Sequence, residues 1–303
     1  MKQRDDSMLV VSPAPHIHAP RDTASIMLRV LGATVPAQIF ALAHFGLASL
    51  ALIAASAVLC ASMEAVTRRM LGRAQTARDL SAAVTGVLIA FCLPPDVPLW
   101  MLAAADFFAI VIVKQLFGGL GSNFVNPAAA GVLALQVSYS GMLFKGDSPL
   151  ELWNNNLDTP GLLQLFAGTT TGNAGEVSAV CLLLAAVFLA LCGISDPAAP
   201  AVYIASVAAA AALMGFDPAF HVLAGGTMLT AAFMVCDPVT TPATRKGRVI
   251  FSAGCGILTM IIRIYSSYPD GALFAVMLMN ILTPYIDRYT EIKPLMAGKE
   301  AER

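Results

Sequence analysis

Apolar runs of bilayer-spanning or near-spanning length follow one another along most of this chain, and nothing else in it constrains the fold so strongly. About 20 consecutive apolar residues cross a lipid core of about 30 Å. Inside that core the backbone has to satisfy its own polar groups, which a helix does within one segment. The composition agrees: 57% of residues are hydrophobic and 12% are charged, against about 25% charged in a soluble domain. The expected fold class is an all-α polytopic membrane protein.

Ten membrane segments are predicted, at 27–45, 47–65, 79–94, 98–117, 124–141, 175–194, 198–216, 219–236, 248–266 and 271–288. Several are short or broken by Gly and Pro. Charge orients them. Arg68, Arg69, Arg73 and Arg78 share one loop, and Arg245, Lys246 and Arg248 another. Lys2, Arg4 and Arg21 precede the first span, and Arg288, Lys293, Lys299 and Arg303 close the chain. Ten spans put all four groups on one side, opposite a long connection over 142–174 that carries Asp147, Glu151 and Asp158 against Lys145. The positive-inside rule then places both termini in the cytoplasm and that connection outside. The resulting divisions are a cytoplasmic arm (1–24), a first membrane repeat (25–141), an external loop (142–174), a second membrane repeat (175–290) and a cytoplasmic tail (291–303). The arm lacks the long apolar core of a cleavable signal peptide.

The two halves resemble each other. Ala90-Phe91-Cys92-Leu93-Pro94-Pro95-Asp96 closes the third span, and Ala232-Phe233-Met234-Val235-Cys236-Asp237-Pro238 closes the eighth. Asn123-Phe124-Val125-Asn126-Pro127 opens the fifth, and Asn280-Ile281-Leu282-Thr283-Pro284 lies in the tenth. Members of each pair are five spans apart and so point in opposite directions, the pattern of two inverted five-helix repeats whose broken helices meet at a site.

The stretch Gly119–Ala128, GLGSNFVNPA, is where that site is expected. Buried amides must be hydrogen-bonded, so Asn123 and Asn126 beside Pro127 point either to a polar ligand or to helix capping and inter-helix bonds. Asp106 stands mid-span with no opposite charge in its own segment. An intramembrane carboxylate suggests a cation site, a proton carrier or a partner on another span. Lys114 and Arg263 can snorkel to an interface, and Lys114 can also neutralise a ligand's charge. Asp237 is read as capping freed amides or facing a ligand or cation, and His221 as a satisfied interfacial histidine. The cysteines at 60, 92, 181, 192, 236 and 255 have no Cys-x-x-Cys spacing and read as buried small hydrophobes. His16 and His18 have no further ligand nearby, so no metal site is assigned. No basic stripe suggests nucleic acid.

KQLFGGLGSNFVNPA (114–128), GEVSA (175–179), the CDPVT–P–T–KGR run (236–248) and MNILTPYIDRYT (279–290) resemble the RnfD/NqrB family, from about residue 9 to about residue 290. These are membrane subunits of the Rnf and sodium-pumping NADH:quinone reductase complexes, and the KQLFGGLG form and short arm place this chain nearer the RnfD side. The resemblance implies a flavin-carrying conduit, in a complex that passes electrons between ferredoxin and NAD and moves Na⁺ or H⁺. It implies an FMN bound through phosphate to an external-loop threonine, carried over to Thr159 before Pro160, although Asn156-Leu157-Asp158 replaces the family's Ser-Gly-Ala. Thr169, Thr170 and Thr171 align instead with a Gly-rich stretch. It also implies a second, non-covalent flavin, riboflavin or similar, at Asn123 and Asn126. Glu176 would lie near the covalent flavin or serve the dipole of its own helix. Implied partners are the A, B, C, E and G subunits of Rnf, ferredoxin and NAD reached through them, and lipid, in the inner cell membrane. Without the resemblance, an inverted-repeat solute channel or transporter without flavin is the alternative.

Overall fold

The protein is described by a computed structural model over residues 22–76, 79–176 and 178–290. The arm, Arg78 and the tail beyond Thr290 lie outside the described residues, and with them the basic groups and histidines assigned there. Among the described residues every regular element is helical.

In chain order these are α1 (Thr23–Phe45), α2 (Leu47–Met70), α3 (Ser81–Phe91), α4 (Leu99–Phe107), α5 (Pro127–Ser138), α6 (Ser140–Leu143), α7 (Pro149–Asn154), α8 (Leu162–Ala167), α9 (Ala179–Leu191), α10 (Ala198–Leu213), α11 (Pro218–Leu223), α12 (Thr227–Leu229), α13 (Arg245–Tyr265) and α14 (Ala272–Thr290). Helix α4 runs on into a π-helical segment, Phe108–Gln115, and α12 into another, Thr230–Met234. Such widened turns are rare and often mark functional sites. Helices α1, α2 and α13 are long and apolar enough to cross a membrane. The 11 residues of α3 rise only about 16 Å, roughly half a bilayer core.

Local chemistry sets the boundaries. Asn126 starts α5: its side-chain oxygen accepts from the N–H groups of Ala128 (3.0 Å) and Ala129 (3.2 Å), with Pro127 at the first position, where its missing donor costs nothing. Thr244 caps α13 through Gly247 N–H (3.0 Å). The segment predicted over 219–236 is not one helix. It divides at Ala224-Gly225-Gly226, where Gly225 takes φ +66° and the Asp270 carboxylate accepts the Gly226 N–H at 2.8 Å. The connection over 142–174 is not plain loop either, since it contains α6, α7 and α8. A capping box of Ser148 and Glu151 starts α7.

Packing relies on close backbone approach. A Cβ on Gly86 would stand 2.6 Å from the Ser56 carbonyl oxygen, which brings α3 against α2, and one on Gly256 would meet the Tyr203 carbonyl at 2.8 Å, between α13 and α10. Small residues at helix contacts are the usual device where lipid removes the hydrophobic drive for association.

Candidate functional site

The asparagine break assembles as one cluster. Asn126 Nδ2 donates to Asp237 Oδ2 at 3.3 Å, which joins the start of α5 to the Cys236-Asp237-Pro238 turn. With its amide turned to suit its neighbours, Asn280 donates to the Thr240 carbonyl (3.1 Å) and accepts from Asn126 N–H (3.0 Å). Asp237 is fully engaged: Thr240 Oγ1 donates to it at 2.9 Å and Val239 N–H at 3.1 Å. Asn126 and Asp237 thus hold the break together as caps and cross-links. Asn123 differs: it is 8% exposed, and its Oδ1 has no partner. Asn123, Asn126 and Asp237 line a cavity of about 90 Å³ with Ser81, Lys114 and Cys236.

Lys114 does not snorkel. It is buried, lies 3.2 Å from Glu64, and donates to Ser81 Oγ at 2.7 Å. Gln115 Nε2 donates to the same carboxylate at 2.6 Å. Glu64 belongs to none of the sequence motifs, yet it is the acidic residue in its own apolar run and carries the same signal that marks Asp106. Asp106 has no basic partner among the described residues. It is buried, Ser56 Oγ donates to its Oδ1 at 2.8 Å, and Oδ2 is unpartnered. Its described bond is therefore to a neutral donor.

A second cavity, of about 250 Å³, is lined by Cys92, Gln136, Ser148, Thr170, Glu176 and Asp270 among others. Glu176 is buried and receives Asn173 Nδ2 at 2.8 Å. Its segment is pinned to the end of α3 by Ala174 N–H to the Leu93 carbonyl and Gly175 N–H to the Phe91 carbonyl, both 3.0 Å. Arg263 is also buried rather than snorkelling. It donates to the carbonyl of His221 (2.8 Å), to Thr227 Oγ1 (2.9 Å) and to Asp270 Oδ1 (3.0 Å), tying α13 to the break between α11 and α12. His221 is not interfacial: it is fully buried with neither ring nitrogen bonded, edge-on to Trp153 at 4.8 Å. Thr159 is exposed and lines neither cavity, whereas Ser148, which also precedes a proline, faces the second. Of the candidate site residues, Lys114, Asn123, Asn126 and Asp237 line the first cavity and Glu176 the second, while Asp106 and Thr159 line neither.

Beyond the cavities, Asp196 joins the start of α10 to α13. Its carboxyl is held below the ordinary range, first by the Ala198 N–H and then by Arg248, which lies 3.1 Å away.

The family model described as NQR2, RnfD, RnfE matches residues 10–295. The chain is 42% identical over 298 residues to the D subunit of the Na⁺-translocating ferredoxin:NAD⁺ oxidoreductase complex of Acetobacterium woodii, covering 93% of this chain and 94% of the relative. It is 33% identical to the D subunit of the proton-translocating ferredoxin:NAD⁺ oxidoreductase complex of Clostridium ljungdahlii, over 94% of this chain and 95% of the relative. The D subunit of an ion-translocating oxidoreductase complex of Pseudomonas aeruginosa is 36% identical over 96% of each chain.

Proposed function

The chain belongs to the NQR2, RnfD, RnfE family, and from that premise we propose that it is the flavin-carrying membrane subunit of an Rnf-type complex. It is a multi-pass membrane protein and a subunit of a redox-driven ion translocase, in which electrons pass between ferredoxin and NAD and Na⁺ or H⁺ crosses the membrane. The A, B, C, E and G subunits would be its partners, and ferredoxin and NAD would be reached through them. The near full-length match to relatives so named carries this reading. The inner membrane as location and cytoplasmic termini rest on the charge pattern. Inverted five-helix repeats are supported by reciprocal contacts: the end of α3 bonds to residues 174–175 in the second half, while Asp237 bonds to Asn126 in the first.

A flavin, when bound, supplies the electron transfer, and the protein orients it and tunes its surroundings. At the first cavity Asn123 suits one edge of such a ring, because its buried Oδ1 needs a donor. Ligand pockets usually measure about 300–1,000 Å³, so about 90 Å³ takes an edge and not the whole ring. Asn126 and Asp237 support Asn123 there, and Lys114 brings a charge already matched by Glu64. The second cavity approaches the usual size and suits the covalent FMN. Thr159 is the acceptor by resemblance. A second reading, Ser148, is favoured by position, since it lines the cavity and Pro149 follows it, its Oγ also accepting the Glu151 N–H of the capping box. Glu176 would border that flavin, and Asp106 would hold a coupling ion or proton.

Intact mass spectrometry of the purified subunit, with in-gel flavin fluorescence, tests the covalent part. An FMN increment lost in Ser148→Ala but kept in Thr159→Ala assigns Ser148, and the reverse assigns Thr159. Absence of any flavin, covalent or extractable, would sink the redox reading in favour of a flavin-free channel or transporter.

A further inference from the structure

Two carboxylates that line the second cavity converge on one glycine. A Cβ on Gly226 would meet Asp270 Oδ2 at 2.7 Å and Glu176 Oε1 at 2.9 Å, so both oxygens flank the same point. One guanidinium serves the pair. Arg263 directs its Nη1 and Nη2 donors to Asp270, Thr227 and the carbonyls of His221 and Ala224, its Nε–H has no partner, and its hydrogen bonds do not include Glu176. Glu176 receives a neutral donor, Asn173 Nδ2. The charged and titratable groups facing it are Asp270, Arg263 and the Cys92 thiol. Lys145, at the cavity wall, is taken up by Asp96. One negative charge therefore remains without a counter-charge in a place where an unpaired ion is costly.

A second observation points to a ligand. Gln136 of α5 lines the same cavity at 6% exposure, and its Oε1 has no hydrogen-bond partner. An orphaned amide oxygen and a carboxylate with no cation of its own thus line one cavity. Carboxylate and carbonyl oxygens are the ligands that hard cations prefer.

We infer that this cavity holds, at its Glu176 end and beside the flavin proposed for it, one positive charge, an alkali ion or a proton, on the Glu176 carboxylate, with Gln136 Oε1 as a further ligand and Asp270, anchored by Arg263, as the second wall. The inference rests on the ion-translocating reading and adds where an ion is held.

The test uses the complex containing the full chain, purified in choline chloride and titrated with NaCl at constant ionic strength. Thermal unfolding and infrared difference spectra of the carboxyl bands are recorded. With an alkali ion as occupant, Na⁺ raises the midpoint saturably and shifts a carboxylate band. Glu176→Gln then raises the half-saturating concentration at least about tenfold, the size expected for losing one charged ligand. Gln136→Leu, which leaves the charges untouched and guards against misfolding of the first variant, raises it by a smaller factor. With a proton as occupant, Na⁺ has no effect, and a protonated-carboxyl band present in the parent is missing from Glu176→Gln. Either result supports the site. It is overturned if neither signal depends on Glu176 and Gln136, or if the Na⁺ response survives in Glu176→Gln and vanishes in Asp106→Asn. Flavin content and ferredoxin:NAD⁺ turnover in detergent, where no ion gradient forms, report on the redox reading separately.

Discussion

Lys114 and Glu64 are both nearly inaccessible, at 1% and 2% exposure, and each makes the other's burial tolerable. Removing one partner of a buried pair leaves an uncompensated charge and costs about 3–5 kcal/mol, whereas replacing both by apolar residues is often close to neutral. Glu64→Leu alone is therefore expected to lower the unfolding midpoint sharply in dye-monitored melts in detergent. Glu64→Leu combined with Lys114→Met should recover most of that loss. A double variant no better than the single one would mean that the network with Ser81 and Gln115, and not the charge pair, holds this corner. Asn123 lines the same cavity as Lys114 and has an unsatisfied oxygen, so Asn123→Leu should release non-covalent flavin, read by extraction and fluorescence, with little effect on the melt. Retained flavin would remove Asn123 from the site. The asparagines were legible in the sequence because two amides beside a proline in an apolar run demand partners. The Glu64 partnership was not, because it joins residues 50 apart in sequence, and no local pattern links them.

Among the elements, α5 depends most visibly on a single side chain. Loss of a capping Asn costs about 0.5–2 kcal/mol, and Asn126 also bonds Asp237. Asn126→Ala is thus expected to destabilise by about 1–2 kcal/mol or more, with flavin loss following only as the break loosens. An unchanged melt would show that Pro127 and packing suffice to start α5. The starts of α10 and α13 share Asp196. Its carboxyl is held below the usual range in the folded chain, so its contribution is present above the ordinary carboxylate pKa and fades as pH falls through the lowered one. Thermal midpoints measured from neutral to acid pH should therefore decline less steeply in Asp196→Asn than in the parent over that window; equal slopes would remove the role. The boundaries at Pro127 and Thr244 could be anticipated from local cap chemistry. The division of 219–236 could not, because Gly225-Gly226 becomes a break through a hydrogen bond to Asp270, which lies far along the chain.

At the scale of the whole molecule, the apolar runs were enough to predict a helical membrane protein, because the bilayer dictates segment length and internal backbone bonding. They were not enough to show how the two cavities are lined, which depends on how broken ends from both halves interlock. The orientation follows from charge alone and can be tested directly. Arg68, Arg69 and Arg73 cluster at the end of α2 and the loop after it, and Arg245, Lys246 and Arg248 at the start of α13, while Asp147, Glu151 and Asp158 lie in and around α7. Basic loops are retained on the cytoplasmic side during insertion. Single cysteines placed at Thr159 and at Arg69, both exposed, in a background lacking the native six, should therefore react from opposite sides. A membrane-impermeant maleimide added to intact cells should label the cysteine at 159 and leave that at 69 unlabelled until the membrane is opened. Labelling of both from outside would contradict the span count on which the opposed halves depend. Labelling of 69 alone would invert the molecule and place the Glu176 cavity on the cytoplasmic side.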